Sequence, residues 1–195
     1  MEEILAAKNE IRETTAKALE ALSRADIKEK TQTIENRLFE FANFLEATIA
    51  LMYMQGPGHV ATMEMVKKCY EFNKIVVLPN FDMTNHGMTL MKVDNPDTDL
   101  VNGPRRILEP DPGRCKPVPI DCIDIAIIPG VALDEKGGRL GSGQGFYDRL
   151  IPALPITTRK VALAFEDQIV PQIPMESHDK HVDIIITEKR VIYKI

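Results

Sequence analysis

Between Pro129 and Arg149 the chain reads Pro-Gly-Val-Ala-Leu-Asp-Glu-Lys-Gly-Gly-Arg-Leu-Gly-Ser-Gly-Gln-Gly-Phe-Tyr-Asp-Arg, a segment suited to holding an anion. Gly141, Gly143 and Gly145 alternate with other residues. That spacing permits positive φ and close approach, so several backbone N–H groups can point at phosphate oxygens. Arg139 and Arg149 bracket the glycines with permanent positive charge. The spacing is neither a Walker loop, which needs Gly-Lys followed by Ser or Thr, nor the GxGxxG of a dinucleotide fold. A bare GxGxG also serves as a flexible turn, so the surroundings must decide. A second basic pair, Lys8 and Arg12, lies four residues apart in a helical stretch. Both heads can face one anion, or both can form a solvated face.

The elements that position these groups follow from periodicity. Ile4, Ala7, Ile11, Ala18 and Leu22 recur at near-helical spacing and predict a first helix over 4–22. Ser23-Arg-Ala-Asp26 resembles a capping box, and the stripe Ile27, Ile34, Leu38, Phe41, Leu45 predicts a second helix. A short apolar run over 47–54, closed by Gly56-Pro-Gly58, reads as a buried strand. A helix over 60–72 with Val66 and Cys69 inward follows, then a strand over 74–79 that stops at its proline. Between Asn80 and Pro119 only one strand, over 88–93, stands out from a long loop region. The runs at 124–129, 160–165 and 183–187 read as buried strands. The glycine loop lies just beyond the first of these three, where open α/β sheets gather ligands. The expected fold is a three-layer αβα, Rossmann-like arrangement on a mixed, mostly parallel sheet, with residues 1–195 as a single domain.

Composition narrows the function. Lys plus Arg number 24 against 29 Asp plus Glu, a net charge of −5, which argues against a dedicated nucleic-acid binder with a broad basic face. Cys69, Cys115 and Cys122 show no CxxC spacing, so they suggest ordinary cytosolic thiols rather than a disulfide framework or a zinc site. The acidic start Met1-Glu-Glu and the lack of a long apolar run indicate a cytoplasmic protein with no membrane partner.

Pro129-Gly130, Asp134, the Gly137-Gly138 pair and Arg139-Leu-Gly-x-Gly-x-Gly-Phe-Tyr-Asp148 resemble the signature of the 5-formyltetrahydrofolate cyclo-ligase family, also called 5,10-methenyltetrahydrofolate synthetases. Further similarity lies in Leu163-Ala-Phe165 with Gln168, Ile173-Pro174, His178-Asp179, Val182-Asp183 and Ile186-Thr-Glu188. Upstream, Lys8 and Arg12, Thr62, Leu78-Pro79 and Glu109-Pro110 fit the family's more dispersed positions.

The resemblance implies an ATP- and Mg2+-dependent ligase that converts 5-formyltetrahydrofolate to 5,10-methenyltetrahydrofolate with release of ADP and phosphate. It implies ATP binding by Lys8, Arg12, Arg139, Leu140, Gly141, Ser142, Gly143, Gln144, Gly145, Phe146 and Tyr147, with Arg139 and Lys8 carrying the catalysis. Ser142 to Phe146 (Ser142, Gly143, Gln144, Gly145, Phe146) would also contact the folate. Asp148 and Asp179 occupy the positions expected to hold magnesium, a hard cation suited to carboxylates; Asp148 also suits a helix cap. His178 reads as an orienting or packing residue. Small-molecule partners, folate and ATP, and a monomer or homodimer are expected. One departure stands out: His59 replaces the family glutamate three residues before Thr62, the residue expected to bond the pterin. His59 can bind the pterin with an altered donor pattern or sit in a surface turn. Two further readings therefore stay open: a nucleotide and reduced-folate binding protein without efficient turnover, and a ligase for another formylated or formimino pterin.

Overall fold

The computed structural model describes residues 2–194. Helices α1 (Glu2–Glu20) and α2 (Arg24–Glu40) lead the chain. The expected capping box forms: the Ser23 hydroxyl accepts from the Asp26 N–H, and the Asp26 carboxylate accepts from the Ser23 N–H. The second helix does not run on to Leu45. Phe41 turns extended, and α3 (Ala42–Glu46) restarts at an angle that sends Phe44 fully into the core.

Next come β1 (Ile49–Leu51), α4 (Met63–Glu71), β2 (Ile75–Asp82), β3 (Gly87–Val93), α5 (Pro96–Asp99), β4 (Leu100–Asn102), β5 (Leu108–Pro110) and β6 (Lys116–Pro117). The remainder comprises β7 (Ile125–Ile128), β8 (Ala132–Leu133), β9 (Arg139–Leu140), α6 (Phe146–Leu150), β10 (Arg159–Leu163), β11 (Ile184–Ile186) and β12 (Val191–Tyr193). Eight strands form one sheet in the order β12-β11-β10-β7-β1-β2-β3-β6. The five from β11 to β2 run parallel, β12 and β3 run antiparallel to them on either side, and β6 pairs antiparallel with β3 at the edge. The result is a mixed, mostly parallel sheet with helices on both faces, the three-layer αβα fold expected.

Alternation along the central strands assigns the faces. Ala50, Val76, Leu78, Ile125, Ile127, Val161 and Leu163 pack towards α2, α3 and α4. Their neighbours Leu51, Val77, Ala126, Ile128 and Ala162 pack towards α6 and the segment following it. Both faces are covered, which is why these strands read as continuous apolar runs rather than alternating ones.

Three further sequence expectations need correction. Strand β2 runs three residues past Pro79, where a stop was expected. Pro79 pairs with Leu90 of β3, whose carbonyl accepts from the Val118 N–H on the far side. Leu90 thus turns its polar groups away from β2, and the Pro79 nitrogen faces the side where β1 has already ended, so no ladder bond is lost. The helix expected from Val60 starts at Met63, because the Thr62 hydroxyl is tied to the Tyr53 carbonyl at 2.5 Å. The expected long loop after Asn80 holds a β4–β5 hairpin whose strands are too short to show periodicity. Among the described residues no helix is long and apolar enough to cross a membrane.

Candidate active site

A pocket of about 440 Å³ opens beyond the carboxyl ends of β1, β2 and β7, the ligand position of open α/β sheets. Its floor is the segment from β8 to α6. Asp134, almost fully buried, organises that segment. Oδ1 accepts from the N–H groups of Lys136 (3.0 Å) and Gly138 (2.8 Å), and Oδ2 accepts from Ile173 N–H (2.8 Å). One carboxylate therefore closes the β8–β9 turn and fastens the later stretch that carries Asp179.

Arg139 leaves β9 into the pocket and is 4% exposed. Its Nη1 donates to the Pro129 carbonyl (3.1 Å) and its Nη2 to Asp148 Oδ1 (2.7 Å), while the buried Nε has no acceptor. A side chain at 141 would place its Cβ 2.8 Å from Arg139 Nη1, so the guanidinium needs glycine there. Gly143 (φ +98°) and Gly145 (φ +69°) then use left-handed backbone that L side chains rarely adopt. The helical stretch beyond is one short turn, α6, which buries Phe146 and Tyr147 and leaves Ser142, Gly143 and Gln144 exposed on the loop.

Helix α1 supplies the wall. Arg12 Nε donates to the Gly141 carbonyl (3.0 Å), so the basic helix touches the glycine loop directly. One turn earlier, Lys8 Nζ bonds Glu176 (2.8 Å) and Asp179 (2.5 Å). Burial opposes the Lys8 charge, but the bonds to both carboxylates outweigh it and the pKa is raised. Asp179 is lowered: burial works against its charge and is overcome by Lys8 and the Glu176 N–H. The Lys8 hydrogen bond likewise lowers Glu176.

At the opposite end, His59 Nδ1 accepts from the Gly56 N–H (3.3 Å), so the neutral ring carries its hydrogen on Nε2. Burial first, and then the charges of Arg105 and Arg139, pull its pKa down to about 4. His59 packs edge-on against Tyr53 and lines the pocket rather than an open turn. Phe81 and Phe146 meet edge to face, with ring centroids 4.9 Å apart.

The pocket thus brings together Lys8, Arg12, His59, Arg139 to Tyr147, Asp148 and Asp179. The two expected magnesium carboxylates differ in their partners: Asp148 is engaged by Arg139, and Asp179 by Lys8. The oxygens of Asp179 and Glu176 and a nitrogen of His178 lie within 4.8 Å of one another, and the two carboxylates suit a hard cation. His178 is 67% exposed, so it does not pack. Sequence reasoning missed Glu176, Arg105 and Phe81. Glu176 had a faint signal as an acid three residues before Asp179; Phe81 lay just past the expected strand end.

The sequence profile of the 5-formyltetrahydrofolate cyclo-ligase family matches residues 4–188. The chain belongs to this family. A curated 5-formyltetrahydrofolate cyclo-ligase from Escherichia coli (strain K12) is 28% identical over 172 residues, covering 88% of this chain and 94% of the relative. The Mus musculus cyclo-ligase is 24% identical over 191 residues, covering 93% and 94%. Among solved structures, the Aquifex aeolicus 5,10-methenyltetrahydrofolate synthetase superimposes with a TM-score of 0.82 at 28% identity, covering 96% of this chain and 92% of that one. As a cyclo-ligase family member the protein is an enzyme, a ligase of folate one-carbon metabolism.

Proposed function

We propose that the protein converts 5-formyltetrahydrofolate to 5,10-methenyltetrahydrofolate, using ATP and Mg2+ and releasing ADP and phosphate. The observation that supports this most is the convergence of Lys8, Arg12 and Arg139 with the glycine loop in one pocket that the Phe81 and Phe146 rings also line. The cationic wall suits a triphosphate, and the aromatic end suits a flat heterocycle.

The chemistry asks the protein for alignment and charge neutralisation. The formyl oxygen on N5 attacks the γ-phosphorus and ADP leaves. N10 then attacks the activated formyl carbon, the carbon–oxygen bond breaks, inorganic phosphate departs with that oxygen, and the N10 proton is lost. No protein nucleophile is required. Arg139, which lines the pocket, balances the charge of the transferred phosphoryl group, and the loop N–H groups hold its oxygens. Lys8, now bonded to Glu176 and Asp179, reaches the same charge from α1. Magnesium bound at Asp179, with Glu176 and Asp148 nearby, would neutralise phosphate charge. Phe146 and the exposed loop residues Ser142 to Gln144 contact the folate.

The test is to mix the purified protein with 5-formyltetrahydrofolate and Mg-ATP and follow the near-ultraviolet absorbance of the methenyl product. The expected signal requires ATP and disappears on chelation of magnesium. Binding of both ligands with no ADP formed would move the reading to a nucleotide and folate binding protein. His59 favours a second reading, a ligase for another formylated or formimino pterin, since its Nε2–H donates where the family glutamate would accept. Turnover with such a pterin alone would establish it.

A further inference from the structure

Arg105 is a permanent cation that lines the pocket without a bonded carboxylate. It sits in the hairpin between β4 and β5, a half-buried residue whose guanidinium carbon lies 4.3 Å from the Phe81 ring centroid and 5.1 Å from that of Phe146. Among the described residues it forms no hydrogen bond and no ion pair, whereas Arg12 and Arg139 in the same pocket are both bonded. The nearby buried acid, Glu109, does not bond Arg105: its Oε2 accepts from the Phe81 N–H (3.0 Å) and Asn80 Nδ2 (3.4 Å), its Oε1 has no hydrogen-bond partner, and burial raises its pKa against the pull of the Arg105 charge.

The hairpin that carries Arg105 is built rather than loose. The Gly103 N–H bonds the Ile107 carbonyl (2.9 Å), and the Arg106 N–H bonds the Gly103 carbonyl (3.0 Å). Arg106 takes a left-handed φ of 58°, and a Cβ at 103 would fall 2.1 Å from Glu109 Oε1. Only glycine lets the turn settle onto Glu109, and the strained turn holds Arg105 over the two rings. A planar guanidinium on aromatic faces keeps its N–H edge free for a bidentate carboxylate. His59 adds a neutral donor at this end, so the subsite offers a donor and a permanent positive charge to an anion.

We propose that Arg105 is a specificity residue that binds a carboxylate of the substrate, the glutamyl tail of the folate, beside the Phe81 and Phe146 rings. This deepens the cyclo-ligase reading and rests on it. The alternative source of an anion at this point is the nucleotide triphosphate, and the experiment separates the two.

Binding of 5-formyltetrahydrofolate and of its tail dimethyl ester is titrated calorimetrically to the wild type, Arg105→Met and Arg105→Lys, with ATP titrated in parallel. A charge-assisted bond of this kind is worth about ten- to hundredfold in affinity. The wild type is expected to prefer the diacid over the ester by about that factor; Arg105→Met loses the preference, and Arg105→Lys keeps part of it. ATP affinity stays unchanged in all three. Equal weakening of acid and ester by Arg105→Met would overturn the proposal, because the arginine would then serve by stacking alone. Loss of ATP affinity instead would assign it to the triphosphate, and equal wild-type affinity for acid and ester would dismiss a carboxylate contact altogether. Tight, Arg105-dependent binding without methenyl product would leave this proposal standing while sinking the turnover reading; binding of neither ligand would sink both.

Discussion

Replacing Arg139 by methionine tests two roles of one side chain, because the guanidinium braces the fold through Pro129 and Asp148 and lines the pocket proposed to hold the ligand. Methionine keeps the buried stem and removes the head. The Nη1 bond to the Pro129 carbonyl is worth about 1 kcal/mol. Asp148 loses its partner, but its side chain is 18% exposed, so the roughly 3–5 kcal/mol of a fully buried broken pair shrinks to about 2. The total, about 3 kcal/mol, lowers the melting temperature of a chain of this size by about 6–12 °C. Adding Asp148→Asn removes the stranded charge, and the double variant should melt only about 2–4 °C below wild type. Turnover should behave differently. With Arg139 neutralising transferred charge as proposed, its loss costs about a hundredfold or more, and the double variant should be as slow as the single one. Scanning fluorimetry and the methenyl absorbance assay read the two quantities separately. Recovery of turnover along with stability would refute the ligand-facing role of Arg139. A single variant melting with wild type would refute the energetics assigned to the pair.

His59 gives a pH signature. Its pKa falls from 6.5 towards about 4 on folding, so between these values the unfolded chain binds more protons, and stability must rise with pH across that window. Urea midpoints at pH 5 and 7 should differ in that sense, and His59→Gln should flatten the difference. Gln168→Leu should destabilise the protein by about 2–4 kcal/mol in urea titrations. The fully buried amide bonds the carbonyls of Gly58, Gly130 and Val131 and the Phe165 N–H, all of which would be left unpaired. Lys8→Met should raise the pKa of Asp179 by removing its ion pair, visible in a carboxyl NMR titration, and should weaken ATP binding in parallel. An unmoved Asp179 titration would show that the ammonium is not what holds it low.

What the sequence revealed depended on how local each signal was. The glycine loop, the buried strand before it and the Ser23 cap are written in contiguous residues, so spacing alone exposes them. The extension of β2 past Pro79 is different: it depends on β1 ending after Leu51, a fact about a neighbour in space. Asp148 and Asp179 look alike in the sequence, and only the fold gives one to Arg139 and the other to Lys8. Arg105 was hidden because the strands flanking it have three residues each, too few for a period to register. Glu176 was hidden because its partner lies 168 positions away.

The bonds from α1 to the rest of the site also set an order of events during synthesis. Arg12 reaches Gly141, 129 positions onward, and Lys8 reaches Asp179, 171 positions onward. At 5–20 residues per second, a ribosome delivers Asp179 roughly 10–30 s after Lys8. Until Gly141 emerges the first helix has neither of its clamping partners and its basic face is open to whatever anion the cell offers; from then until Asp179 emerges only Arg12 has its partner. The cationic wall of the pocket is therefore among the last parts of the molecule to close, and a chain interrupted before Glu176 would keep much of its sheet yet leave Lys8 without either carboxylate.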